Sequence, residues 1–396
     1  MFVAINKKGE YISIFKQTNT QIHKLKMDGP YFCPLCHEEV ILKAGSIKLP
    51  HFSHKNICQV KGTGESISHL KGKTILYEWL MNQGFQVELE YFLEEVNQRP
   101  DLFVQINNSH FAIEFQCSVI PVSQLLGRIN NYRQNGIISF WIIDDKLIKK
   151  YPNQIMELSD FNGCFIQNHF SNYPFILAID TEKEQFIVYS NLYPYSSTRA
   201  LYQRQVYSTN CTFKELINNI PQSISNSNNR LWLKYIEKWI RAISIEPNAF
   251  KNLFLQYLYR NHIHPLELPE VVGIPVRSMY LIKNSPFEWQ AYIFIRFLYQ
   301  QSIGTKFTIK QIENFLIYSM KKNYHMRHVN LTNEYSNIEP VINYLEMLTR
   351  LKFLERKGDS FIITKAFHKI NNPGMERNVL REEFFKRNQK LLFSAK

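Results

Sequence analysis

The sequence predicts a multidomain α/β (α+β) protein in three parts. A small β unit with a cysteine and histidine cluster comes first, then an α-β-β-β-α-β core, then a basic, mainly helical C-terminal domain. Three observations predict this. Cysteines and histidines concentrate between Cys33 and Cys58. From residue 65 to 145 the apolar pattern passes from helical spacing to strand alternation and back. Beyond Leu231, the residues Trp232, Ile236, Trp239 and Ile240 recur at helical spacing.

The 396 residues suffice for two or three domains of roughly 100–200 residues each. Apolar residues make up 45% and charged residues 20%, which excludes a disordered or collagenous chain. No apolar run approaches the about 18 residues a membrane span needs. Residues 1–8 show no basic stretch leading into an apolar segment, so a cytoplasmic protein without membrane contact is expected. The 47 lysines and arginines against 34 acids give a net charge of +13, which favours an anionic partner, nucleic acid first. Only 14 glycines are present, which disfavours a glycine-rich phosphate cradle, and no small-molecule cofactor is expected.

Residues 1–30 read as a short β segment, with strands at 3–6 and 11–15 around Lys8-Gly9-Glu10. The next stretch carries Cys33-x2-Cys36-x14-His51-x2-His54-x3-Cys58. Thiolates two residues apart on a knuckle can reach one metal, and a second pair after a hairpin completes a tetrahedron, so a structural Zn²⁺ is expected. Cys33 and Cys36 are firm; His51, His54 and Cys58 compete for the other two places. The spacing departs from a DNA-reading finger, with its about twelve residues between pairs. The six cysteines form no disulfide framework.

A helix follows, to about residue 81. Glu65, His69 and Lys73 share one side, continued by Leu76 and Leu80, while Ile67, Leu70, Thr74, Tyr77 and Met81 form an apolar stripe on the other. A helix apolar nearly all round is buried, so its polar residues should point into a cleft at the end of a sheet. Gly72-Lys73-Thr74 imitates a P-loop ending, but position 67 holds isoleucine and the segment is helical.

Residues 85–91 alternate as an edge strand. Strands at 102–106 and 110–116, with Asn108-Ser109 as a two-residue loop, would pair Ile106 with Phe111, Val104 with Ile113 and Leu102 with Phe115. One face is then wholly apolar, and Asp101 and Glu114 become diagonal neighbours on the other. Two carboxylates on adjacent strands in so basic a chain suggest a Mg²⁺ or Mn²⁺ site. A helix opening with Pro121 follows, with Arg128 and Tyr132 on one face. Residues 137–143 are apolar apart from Ser139, as in a strand covered on both sides. A hairpin is expected from 175–179 and 185–189, and the polar run 223–229 reads as a linker. The expected divisions are 1–61, 62–150, 151–225 and 226–396. The last 45 residues hold eleven basic against five acidic residues.

The order of elements, with Arg99-Pro100-Asp101 and Ile113-Glu114-Phe115-Gln116, resembles the PD-(D/E)XK nuclease superfamily, whose fold is restriction-endonuclease-like. The whole chain resembles the CoiA family of competence proteins. The residues that carry this are Cys33, Cys36, His51-Phe52-Ser53-His54, Glu65-x3-His69, Arg99-Pro100-Asp101, Glu114-Phe115-Gln116-Cys117-Ser118, Arg128-x3-Tyr132 and Trp141-Ile142-Ile143. Coverage is strongest over 31–145; further on, Trp289-Gln290 is the one suggestive pair.

The resemblance implies a metal-dependent DNA nuclease, a phosphodiester hydrolase, that acts on incoming single-stranded or branched DNA in natural transformation and promotes its recombination with recombination proteins. Asp101, Glu114 and the Phe115 carbonyl would hold Mg²⁺ or Mn²⁺, with Glu65 assisting. Gln116 stands where that superfamily usually has lysine, and a neutral amide supplies no cation. Lys73 could supply it from the helix. Gln116 with Lys73 or His69 would position or deprotonate the attacking water. Arg128, beside Tyr132, would hold a phosphate, and the basic C-terminal region would grip backbone. Two alternatives are an inactive nuclease fold that binds DNA for recombination proteins and a zinc-containing RNA-processing protein.

Overall fold

A computed structural model describes residues 1–45, 49–56, 66–106, 109–169, 171, 173–220, 226–319, 321, 323–331, 336–368, 370 and 375–393. The expected three-part architecture is what it shows. The first part is a five-stranded sheet of β1 (Val3–Ile5), β2 (Tyr11–Ser13), β3 (Tyr31–Phe32), β4 (Glu39–Lys43) and β5 (His51–His54), in the order β2-β1-β3-β4-β5. Gly9, at φ +83°, makes the left-handed turn between β1 and β2. Val40 and Leu42 alternate inward along β4 and meet Phe52 in the core. Residues 1–30 hold more than strands. Helix α1 (Asn19–Met27) is closed at its start by a capping box between Thr18 and Gln21.

Helix α2 (Ile67–Met81) leads into the central sheet, with Ser66 accepting from the His69 amide as its cap. The strands are β6 (Val87–Leu89), β7 (Leu102–Ile106), β8 (Ser109–Gln116), β9 (Ile138–Asp144), β10 (Lys150–Tyr151), β11 (Ile155–Glu157), β12 (Phe175–Asp180), β13 (Gln185–Pro194) and β14 (Arg199–Ser208). They form one nine-stranded sheet, β10-β11-β14-β13-β12-β9-β8-β7-β6. The hairpin of β12 and β13 therefore belongs to the same sheet as the carboxylate-bearing strands. The β8–β9 and β9–β12 pairs are parallel and their neighbours antiparallel.

Both faces of this sheet are covered. α2 packs Ile75, Leu76, Trp79 and Leu80 against Leu102, Val104, Phe111, Ile113 and Phe115. Helix α3 (Val122–Gln134), entered through Pro121, packs Leu125 and Ile129 on Trp141 and Ile143 from the other side. The stripe expected to be the apolar side of α2 is its more open one: Ile67 is 51% exposed, whereas Lys73 and Leu76 are fully buried. Two short helices, α4 (Asp160–Gly163) and α5 (Phe213–Asn218), complete the covering layers.

The β7–β8 ladder differs from expectation by two residues. Ile106 faces Ser109, Val104 faces Phe111 and Leu102 faces Ile113. An even shift keeps each residue on its predicted face, so alternation alone cannot detect it. The ladder begins at Leu102; Asp101, in the bend before it, meets His69 and Lys73 of α2 while Glu114 meets Arg128 and Tyr132 of α3, so the two do not stand as diagonal neighbours on one face.

The C-terminal region is mainly helical, with α6 (Asn226–Ser244), α7 (Leu253–Arg260), α8 (Pro286–Phe297), α9 (Ile309–Asn314), α10 (Glu339–Arg350) and α11 (Met375–Leu392). It also holds a small sheet of β15 (Lys306–Thr308), β16 (Leu354–Lys357) and β17 (Ser360–Ile363). Part of the expected linker is helix, since α6 starts at Asn226; residues 223–225 lie outside the described residues. Trp232, Ile236 and Ile240 point into the core, as their spacing requires. Gln290, fully buried, binds the backbone of Gly273 and Ile274, which makes it a structural residue. Among the described residues no helix is long and apolar enough to cross a membrane.

Candidate metal cluster and carboxylate site

Two sites arise, one in each of the first two parts. In the first, the Cys33-to-Cys36 knuckle is built by backbone. The His37 amide donates to the Cys33 carbonyl at 2.9 Å, and the Cys33 amide to the Glu38 carbonyl at 2.9 Å. His37 sits at φ +57°, which turns the chain back into β4. His54 arrives from β5, opposite Val40, with Nε2 3.2 Å from Cys36 Sγ. One ligand atom from each of Cys33, Cys36 and His54 lies within 4.8 Å of the others. Tetrahedral zinc, at 2.3 Å from sulfur and about 2.0 Å from nitrogen, requires such a sulfur–nitrogen edge to be about 3.5 Å, so the donor set fits.

His51 is not in this cluster. Strand alternation sends Phe52 and His54 to the inner face and His51 to the outer one, where its Nδ1 lies 2.9 Å from the Leu49 carbonyl. Cys58, the other candidate for the fourth place, lies outside the described residues, as does Glu65.

The second site lies where β8, β9 and β12 end and β7 begins. Asp101 precedes β7, so strand alternation does not bind it. Its Oδ2 accepts from the Phe115 amide at 2.9 Å and lies 3.0 Å from His69 Nε2. Lys73 Nζ stands 4.0 Å from Asp101 Oδ1. Thus α2 brings His69 and Lys73 to Asp101, as the helical spacing predicts. Lys73 also pairs with Glu90, which the sequence reading passes over. Glu90 accepts from the amides of Phe2 and Val3, each at 3.0 Å, and lies 3.7 Å from Arg99. Alternation assigns Glu90 to a polar strand face, but at φ +53° it leaves β6 and turns inward, to 2% exposure.

Glu114 is gripped from the opposite layer. Arg128 of α3 pairs with its Oε1, and the Tyr132 hydroxyl donates to the same oxygen at 2.6 Å. The Arg128 guanidinium also lies over the Trp141 ring, 5.3 Å from its centroid. Burial opposes its charge, yet Glu114, Tyr132 and Asp101 together hold it above the ordinary arginine value. Burial and Glu114 raise the Tyr132 phenol well above its usual range, so it stays a donor. Gln116 turns to the loop, its Nε2 donating to the Ser118 carbonyl at 2.6 Å.

Asp144, at the end of β9, is a further buried carboxylate that alternation could not single out within an apolar strand. It accepts from Ser68 of α2 at 2.6 Å, which fixes the start of that helix over the sheet end. Gly72-Lys73-Thr74 lies within α2, which excludes a P-loop there, as expected. Lys71, on the outer side, pairs with Glu184 at 3.0 Å.

Chemically, the second site offers two buried carboxylates, one just before β7 and one on β8, with cations supplied from α2 and from α3. Two carboxylates with water and substrate oxygens suffice for Mg²⁺ or Mn²⁺, so the donor types fit a hard cation, while Arg128 now balances Glu114. Among the described residues, only Cys33, Cys36 and His54 form a group of three or more candidate metal ligands.

Comparison with known proteins adds a consistent picture. Three domain models match the chain in order: the N-terminal domain of competence protein CoiA over residues 14–61, its nuclease-like domain over 65–221, and its C-terminal domain over 227–373. The competence protein CoiA of Bacillus subtilis (strain 168) is 29% identical over 352 residues, covering 85% of this chain and 90% of that relative. No solved structure matches.

Proposed function

The chain belongs to the CoiA family of competence proteins, and from that premise we propose that its nuclease-like domain is a Mg²⁺- or Mn²⁺-dependent DNA nuclease. It would act in the cytoplasm on DNA taken up in natural transformation and pass it to recombination proteins. The observation that carries this reading is the placement of Asp101 and Glu114 at one sheet end, with His69 and Lys73 on one carboxylate and Arg128 and Tyr132 on the other.

Asp101 and Glu114, with the Phe115 carbonyl, would hold the ion, which would polarise the scissile phosphodiester and acidify a bound water. The remaining roles belong to the chain itself. His69 and the Phe115 amide orient Asp101. An incoming phosphate would take the Arg128 guanidinium, a planar donor suited to two phosphate oxygens, and so release Glu114. Tyr132 keeps one hydrogen bond on Glu114 through that exchange. His69 is the group placed to move a proton, and Glu65 and Gln116 would assist at the water. Cys33, Cys36 and His54 would hold a structural Zn²⁺, with Cys58 as the fourth ligand.

One observation favours a second reading, a nuclease fold that binds DNA without turnover. Lys73, the cation offered in place of the superfamily lysine, is fully buried and paired with Glu90. Cleavage of single-stranded, double-stranded and branched DNA, and of RNA, decides between these. The assay compares the wild type with folded Asp101→Ala and Glu114→Ala in Mg²⁺ or Mn²⁺. Cleavage of DNA lost in both variants is the expected result. DNA binding without cleavage by any of the three would establish the binding module, and preference for RNA would redirect the substrate.

A further inference from the structure

α6 and α11 enclose a groove of about 900 Å³. Along its α6 wall, Arg230, Lys234, Lys238 and Arg241 are all exposed at intervals of four, four and three residues. That spacing places them on one helix face over roughly 16 Å, at 1.5 Å per residue. Lys386 faces them from α11. Arg381, which lines the groove, and Arg377, one turn earlier on α11, are each 1% exposed and pair with Glu237 at 3.1 and 2.9 Å. Among the described residues, Arg377 Nη2 and Arg381 Nη1 are buried without a hydrogen-bond partner, and Glu382 is the only carboxylate besides Glu237 lining the groove. Burial, with Arg377 beside it, pushes the Arg381 guanidinium down to about 10.

Glu237 and Glu270 offset these two guanidiniums, and Arg381 Nη2 donates to the Pro269 and Val272 carbonyls, yet other guanidinium donors stay unused. The exposed cations of α6, with Lys386, set an excess of positive charge in a line along the groove. We infer that the α6–α11 groove is a binding track for the sugar-phosphate backbone of single-stranded nucleic acid. The linear row of cations suits an extended strand, whose phosphates repeat along its length, better than a compact anion. The choice of nucleic acid as occupant rests on the proposed function; the excess of charge does not.

The test is fluorescence anisotropy of the full chain with a labelled oligothymidylate, over a range of salt, without added divalent metal. Lys234→Glu/Lys238→Glu should weaken binding at least about tenfold, and the milder Lys234→Gln/Lys238→Gln should act in the same direction. Losing two phosphate contacts should make the slope of log affinity against log salt shallower by about 1.4. Wild-type affinity and slope in both double variants, with unchanged melting, would overturn the inference, as would absence of binding by the wild type. Cleavage by the wild type is scored separately. Cleavage with groove-independent binding rejects the track alone, and groove-dependent binding without cleavage rejects the nuclease alone.

Discussion

Gly72 of α2 lies directly against the ring of Phe115 of β8, so close that a Cβ there would overlap the ring and stand 2.7 Å from its Cζ. This contact sets the height of α2 above the sheet, with His69 and Lys73 on either side of the glycine in sequence and Glu114 and Gln116 on either side of the phenylalanine. An exposed glycine in mid-helix would gain about 1 kcal/mol from alanine. Here the buried ring cannot yield, and overpacking costs about 1–3 kcal/mol. Gly72→Ala should therefore lower the melting temperature, and Phe115→Leu added to it should recover part of the loss.

The inward and outward faces of β5 make opposite predictions for its two histidines. His54→Ala, Cys33→Ser and Cys36→Ser should each abolish stoichiometric zinc, measured by elemental analysis of purified protein. His51→Ala should retain it. Retention by all four variants would remove the metal assignment.

Glu90 is the counter-charge of a fully buried lysine. Glu90→Gln should destabilise the protein by about 3–5 kcal/mol in urea unfolding, because Lys73 is left buried without its nearest carboxylate. Lys73→Met should cost less, since Glu90 keeps two amide donors and Arg99.

The first turn of α8 carries a pH dependence. Burial pushes the Glu288 carboxyl from 4.5 up to about 7, against the hydrogen bond that Asn284 gives it. The folded state thus holds a proton that the unfolded chain releases at lower pH. Stability contributed by the neutral acid is complete below about 4.5 and is lost as pH rises through about 7. A shift of that size corresponds to a loss on the order of 3 kcal/mol. Melting temperatures between these limits should fall with pH in the wild type and stay flatter in Glu288→Gln.

Alternation made β7 and its faces legible from the sequence, because Leu102 and Val104 are buried under α2 while Phe103 and Gln105 stand on a more open side. It could not fix the register of β7 on β8, since a slip of two residues leaves every side chain on its own face. Helix spacing placed His69 and Lys73 together, and both reach Asp101. The alternating pattern failed at Glu90, where a positive φ breaks the strand, and at Asp101, which precedes its strand and escapes the alternation. α1 buries only Ile22, so no periodic stripe announces it, although Thr18 and Gln21 spell its cap. The pairing of Arg377 and Arg381 with Glu237 joins positions 140 or more residues apart in the chain, and nothing local encodes it.

The hydrogen bonds from the Phe2 and Val3 amides to Glu90 join the first strand of the small sheet to the lysine beside Asp101. One carboxylate thus answers both the amides that open the small sheet and the charge carried by α2, so the start of the chain and the lysine beside Asp101 share a single anchor.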